Sequence, residues 1–230
     1  EKNGFASVWC MDHLICEPEF YRLLDVDSDS FRLLETWTTL TGVAVQTRKV
    51  MLGTAVSPIP RYNPTFLAKV VTTLDVVSKG RTILGVGAGH YKPEFEVNDF
   101  PWRPLPERIQ MMREGVEIIK KLWTESGTTY FGKHFKVEGA PHEPKPIQKP
   151  HPAIWVGGNM LEIMKETAEI GNGWIPYHLT PREYEEKWSK IEEIAKKAGR
   201  ELREIEPAYF MDTYIGLDEK QTMKKAKLYV

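Results

Sequence analysis

The sequence predicts an α/β protein built on a parallel sheet, and two observations carry that expectation. Short apolar runs alternate with amphipathic segments along the whole chain, the pattern that strand–helix units produce. One of the runs, Val50 to Val56, is apolar without interruption, which suits a strand buried on both faces.

In chain order, the first strand is expected over Ser7 to Asp12, around Val8, Trp9 and Met11. A helix should follow over Ser30 to Thr47. Ser30 caps it, and Phe31, Leu34, Trp37 and Leu40 form its stripe. The second strand is Val50 to Val56. Asn63-Pro64 then reads as an N-cap followed by a first-turn proline. That helix runs to Ser78 on Leu67, Val70, Val71, Leu74 and Val77, with Gly80 as its stop. Thr82 to Val86 is the third strand, entering a glycine-rich turn, and His90 to Pro106 reads as a long irregular loop.

Ile109, Met112, Val116 and Ile119 mark the next helix, and Thr129 to Val137 a hairpin turning near Gly132-Lys133. The proline-rich stretch Pro141 to Pro152 cannot be regular helix. Ala153 to Val156 is a strand, Met160 to Ile170 a helix, and Gly173 to Pro176 a short strand. Thr180-Pro181 opens a helix that carries Tyr184, Trp188, Ile191 and Ala195. Ala208 to Ile215 is the last strand expected. An open doubly wound sheet accommodates these six strands, whereas a closed barrel needs eight. The pattern alone does not separate the two.

At 230 residues, the chain fits one large domain spanning residues 1–230, or a barrel with pieces missing. It is 41% hydrophobic and 27% charged, enough to bury a sizeable core. A net charge of −1 gives no global field for nucleic acid or an anionic membrane. No apolar run reaches the ~20 residues of a membrane-spanning helix, and no secretory signal is visible. Cys10 and Cys16 read as reduced thiols in a cytoplasm, and their spacing lacks the second pair that a metal site needs. Glu1-Lys2-Asn3-Gly4 reads as the end of a helix, and the chain closes inside the helical pattern from Glu219 to Val230. A longer intact protein is therefore expected.

In parallel α/β folds, ligands sit at the carboxyl ends of the strands. The first strand end carries Asp12-His13. A carboxylate beside an imidazole can orient or charge it for proton transfer, although the pair equally fits a capping Asp with a solvent-facing His. The second carries Ala55-Val56-Ser57, readable as no more than a buried strand entering a turn. The third carries Gly87-Ala88-Gly89-His90, where the backbone can approach a flat ring or a phosphate. Its spacing is not that of a dinucleotide fingerprint. The fourth carries Gly157-Gly158-Asn159 at a helix start, suited either to a phosphate or to a tight turn. His134, His142, His151 and His178 read as surface residues, and Trp174, near a strand end, as a pocket wall beside His90.

Taken together, the segments SVWCMDHL (Ser7 to Leu14), LGTAVSP (Leu52 to Pro58), RYNP (Arg61 to Pro64), LGVGAG (Leu84 to Gly89), PHPAIWVGGN (Pro150 to Asn159) and GNGWIP (Gly171 to Pro176) resemble the luciferase-like family. The tract from Tyr62 to His90 looks most like its coenzyme F420-dependent branch. The resemblance implies a (β/α)8 TIM barrel in which the visible strands are the second to seventh, with the first and last strand–helix units absent from this chain. It also implies that Asp12 contacts the deazaflavin ring and that His13 acts near the reacting carbon. Ala55-Val56 would form a non-proline cis peptide against the ring, and Ser57 would bond a ring heteroatom. Gly87, Ala88, Gly89, Gly157, Gly158 and Asn159 would hold the phosphate-bearing tail.

One position departs from the pattern. Sugar-phosphate dehydrogenases of this branch carry Glu directly after the glycine turn, where this chain has His90. The implied activity is F420-dependent hydride transfer to or from a small organic substrate, by a homodimer. The alternatives are an FMN-dependent monooxygenase supplied by a flavin reductase, and a cofactor-binding protein without turnover.

Overall fold

A computed structural model of the chain describes residues 1–15, 33–213, 215–216 and 218–226. Cys16, Ser30 and Phe31, used in the expectations above, lie outside the described residues, as do Tyr214 of the last expected strand and most of the segment after Asp12-His13.

The strands are β1 (Ser7–Cys10), β2 (Met51–Thr54), β3 (Ser57–Pro58), β4 (Thr82–Gly87), β5 (Thr128–Phe131), β6 (Lys136–Ala140), β7 (Ala153–Gly157), β8 (Gly173–Ile175) and β9 (Glu206–Pro207). The helices are α1 (Thr36–Gln46), α2 (Pro64–Ser78), α3 (Lys92–Val97), α4 (Leu105–Thr124), α5 (Leu161–Ile170), α6 (Pro181–Lys197) and α7 (Glu219–Ala226). The main sheet is parallel throughout, in the order β1-β2-β4-β7-β8-β9, with β3 beside β4. It curls into part of a (β/α)8 barrel. The antiparallel pair β5–β6 stands apart from it.

Helix α2 shows how closely local chemistry sets an element. Asn63 Oδ1 accepts the amides of Thr65 (2.9 Å) and Phe66 (3.2 Å), and Pro64 occupies the first turn. The buried stripe is Leu67, Val71, Leu74 and Ser78, which leaves Val77 39% exposed. The helix ends on two left-handed residues, Lys79 (φ 62°) and the expected Gly80 (φ 81°), whose amide donates to Asp75 O at 2.8 Å.

Three other expectations shift. Helix α1 starts at Thr36, because the Glu35 carboxylate caps the amides of Trp37 and Thr38. Leu34 therefore precedes the helix and is 73% exposed. The stretch expected as irregular after His90 contains α3, with Pro93 in its first turn and Phe95 buried. The last strand pairs earlier than expected, at Glu206–Pro207. Ala208 and Phe210 continue the contact by donating to Trp174 O (3.1 Å) and Pro176 O (2.8 Å). The hairpin forms over Thr128–Ala140, and its turn is held by the Glu114 carboxylate, which accepts the amides of Lys133, His134 and Phe135.

Inside the curl, large and small residues alternate across neighbouring strands. The Trp9 ring covers Gly53, where a Cβ would lie 2.3 Å from it, and the Trp155 ring covers Gly173. The two indoles meet at 5.0 Å. Outside the curl, one core joins the sheet to α1, α2 and α4, and a second packs Trp174 and Ile205 on Met164, Ala168, Ile191 and Ala195 of α5 and α6. Among the described residues, no helix is long and apolar enough to cross a membrane.

Candidate active site

The carboxyl ends of the strands open into one cleft of about 580 Å³. Asp12 and His13 enter it after β1, and Ala55 and Val56 after β2. Gly87, Ala88, Gly89 and His90 enter after β4, and Gly157, Gly158 and Asn159 after β7. Two of the expected residues do not line it. Trp174 has no exposed surface: its ring packs on Tyr184 (5.1 Å) and Trp188 (6.1 Å), and its Nε1 donates to Gly158 O at 2.9 Å. Strand alternation explains this, since Gly173 and Ile175 face the interior and Trp174 faces the helices. Ser57 is also fully buried, and its hydroxyl donates to Asp12 Oδ2 rather than pointing at a ligand.

A buried charge cluster forms one wall. Arg61, the first residue of the RYNP segment, donates through Nη2 to Asp12 Oδ1 and to Asp12 O (3.1 Å), and through Nη1 to Glu94 Oε2 (2.9 Å). Tyr62 donates its hydroxyl to Asp12 Oδ2 at 2.8 Å. Both Asp12 oxygens are thus occupied by Arg61, Ser57 and Tyr62. The expected Asp12-to-His13 orientation gives way to another: His13 Nδ1 meets Glu94 Oε1 at 3.2 Å. The same Oε1 accepts the amides of Leu14 (2.5 Å) and Ile15 (3.4 Å).

Burial pushes the Glu94 carboxyl up, but the donors from His13 and Leu14 and the Arg61 charge outweigh it and bring it below the usual range. Burial likewise pulls the Arg61 guanidinium down, and the Asp12 and Glu94 carboxylates more than reverse it. The Tyr62 phenol is pushed up by burial and by the Asp12 charge. Glu94 was not foreseen, because it sits on α3, inside the stretch that reads as loop. The available signal was Pro93-Glu94-Phe95, a first-turn proline and carboxylate ahead of an apolar residue.

Val56 makes the floor. The Ala55–Val56 peptide bond is cis, and the Val56 side chain fills the space that side chains at Gly87 and Gly157 would occupy, while the Thr54 carbonyl does so at Gly85. The turn after β4 is braced from behind: Arg108 donates Nη1 to Ala88 O (3.0 Å) and Gly89 O, and stacks over Trp102 at 3.8 Å. The turn after β7 differs from expectation in detail. The Gly158 backbone amide is spent on Ile175 O (3.1 Å), and the Asn159 side chain donates Nδ2 to Tyr177 O (2.6 Å) and accepts the Tyr177 amide at Oδ1 (3.1 Å). Helix α5 starts directly after it, and Met160 at its N-cap supplies no side-chain acceptor. At the mouth, His178 Nε2 meets Asp212 Oδ2 at 2.8 Å. His142, expected on the surface, is buried against Thr72 (2.9 Å). Among the described residues no group of His, Cys, Asp and Glu could hold a metal.

An apolar floor at Val56, glycine turns on two sides and a polar wall carrying His13 make this cleft the candidate ligand site. The family model described as luciferase-like monooxygenase matches residues 1–230. The chain is 35% identical over 177 residues to an F420-dependent glucose-6-phosphate dehydrogenase of Kineococcus radiotolerans, covering 76% of this chain and 49% of that protein. The coenzyme F420-dependent tetrahydromethanopterin reductase structure from Methanopyrus kandleri superposes with a TM-score of 0.79 at 28% identity, over 97% of this chain and 62% of that one. A monooxygenase structure from Streptomyces bottropensis shares the fold, with a TM-score of 0.81 at 23% identity over 98% of this chain and 66% of that one. The chain thus spans about half to two thirds of the length of its curated relatives.

Proposed function

The chain belongs to the luciferase-like monooxygenase family, and from that premise we propose that the protein is a coenzyme F420-dependent oxidoreductase acting on a small organic substrate. The observation that carries the reading is the placement of His13: it lines the same cleft as the Val56 floor and both glycine turns, and is anchored by a buried carboxylate. The bound deazaflavin would supply a ring carbon that takes or gives a hydride. Val56 would support the ring from below, Asp12 would stand at its edge, and the turns at Gly87–Gly89 and Gly157–Asn159 would flank its tail. His13 would hold or release the proton that accompanies the hydride.

The test is to incubate the full-length protein with oxidised F420 and a panel of alcohols, following loss of deazaflavin absorbance. The His13→Ala variant should bind cofactor and lose roughly 10²- to 10⁴-fold in turnover. Full turnover in that variant would remove His13 from the chemistry.

A further inference from the structure

We propose that Glu94 is a positioning residue for His13, fixing which ring nitrogen carries the proton and so leaving Nε2 as the nitrogen that exchanges a proton in the cleft. This deepens the reading of His13 given above and rests on it.

The Glu94 carboxylate is surrounded by donors. Oε2 takes Arg61 Nη1 at 2.9 Å, and Oε1 takes the Leu14 amide at 2.5 Å. A carboxyl whose oxygens both accept from a guanidinium or an amide is held ionised, and an ionised carboxylate can only accept. His13 Nδ1, 3.2 Å from Oε1, must therefore be the donor. The neutral ring then carries its proton on Nδ1 and a lone pair on Nε2. Because the atom that holds the ring also holds the amide of the next residue, ring and backbone are fixed together.

Asp12, adjacent in sequence, cannot do this, since its two oxygens are committed to Arg61, Ser57 and Tyr62. The charges agree as well. Among the described residues, Asp12, Glu94 and Arg61 sum to one negative charge in a nearly dry wall, and a proton arriving at His13 neutralises it. The side chain that accepts it remains 20% exposed, facing the cleft, whereas the Glu94 side chain is 2% exposed. Glu94 stands at the cleft wall with almost no exposed surface, behind the His13 ring it holds.

The measurement is a long-range ¹H–¹⁵N imidazole spectrum of the full-length protein, ¹⁵N-labelled at histidine and free of cofactor, at a pH where the ring is neutral. The His13 signals are identified by their loss in His13→Ala. The proposal expects the Nδ1–H tautomer to dominate in the wild type. It also expects the Nε2–H form to rise several-fold in Glu94→Gln, because a carboxamide cannot accept from Arg61, Leu14 and His13 together. A wild-type ring protonated on Nε2 would overturn it, and so would a folded Glu94→Gln protein with an unchanged tautomer ratio. If Glu94→Gln does not fold, the wild-type spectrum alone decides. The readout needs neither cofactor nor substrate, so a failure to bind F420 would defeat the proposed function and leave this inference standing.

Discussion

Arg61 carries more of the site than any other single side chain, because it is the cation shared by two buried carboxylates. Removing one partner of a buried pair leaves uncompensated charge, typically at a cost of about 3–5 kcal/mol. Arg61→Met should lower stability on that scale in urea denaturation, and an unchanged midpoint would show that the cluster is not stabilising. Acid should attack the same place. The Glu94 carboxyl is lowered in the folded protein, so the stability it adds is present above the unfolded-state carboxylate pKa and is lost as pH falls through the folded value.

His142 gives a separable pH effect. Its single available donor geometry follows from Thr72, whose hydroxyl donates to Ala68 O at 2.8 Å and so accepts from His142 Nε2–H. Burial first, then Lys69 and Lys145, lowers its pKa from 6.5 to about 4. The unfolded chain binds this proton first, so the stability His142 contributes is complete above pH 6.5 and drains away toward about 4. Thermal midpoints across that window should fall more steeply for the wild type than for His142→Gln. Parallel curves would remove His142 as the cause.

At the scale of elements, the strands were legible because their burial is two-sided and their turns are glycine-rich, as in β4, where every residue is buried. Helix α2 was legible from Asn63-Pro64 at one end and an apolar stripe within it. Helix α3 was not, because its six residues are too short to display a period, and its stability comes from Phe95 packing on Phe100 and Trp102 rather than from its own turns. That is why Asp12 and His13 could be picked out from a strand end while the partner that holds His13 stayed hidden: it lies 81 residues away on the chain. Trp174 and Ser57 failed for a related reason, since one residue of register decides which face of a strand a side chain takes.

The floor of the cleft is the element-level claim that mutation tests most sharply. A Cβ at Gly87 would fall 2.6 Å from Val56 Cγ2, and one at Gly157 would fall 2.8 Å from Cγ1. Gly87→Ala should destabilise by about 1–3 kcal/mol through overpacking, and adding Val56→Ala should recover a large part of it. Additive losses in the double-mutant cycle would show that Val56 does not fill that space.

For the molecule as a whole, a parallel sheet curled around paired tryptophan and glycine layers places four turns and one charged wall around a single cleft. The described chain supplies a floor at Val56, a histidine that lines the cleft and the buried carboxylate that meets it. Its curated relatives include F420-dependent enzymes of which it spans about half to two thirds. The central claim is therefore one of cofactor choice, and titration of the full-length protein with F420 and, separately, with FMN, followed by cofactor fluorescence, tests it most directly. The account predicts saturable binding of F420 with markedly weaker binding of FMN, lost in variants that fill the glycine turns. Selective FMN binding, with oxygen consumed once the flavin is reduced, would contradict it and assign the cleft to monooxygenase chemistry.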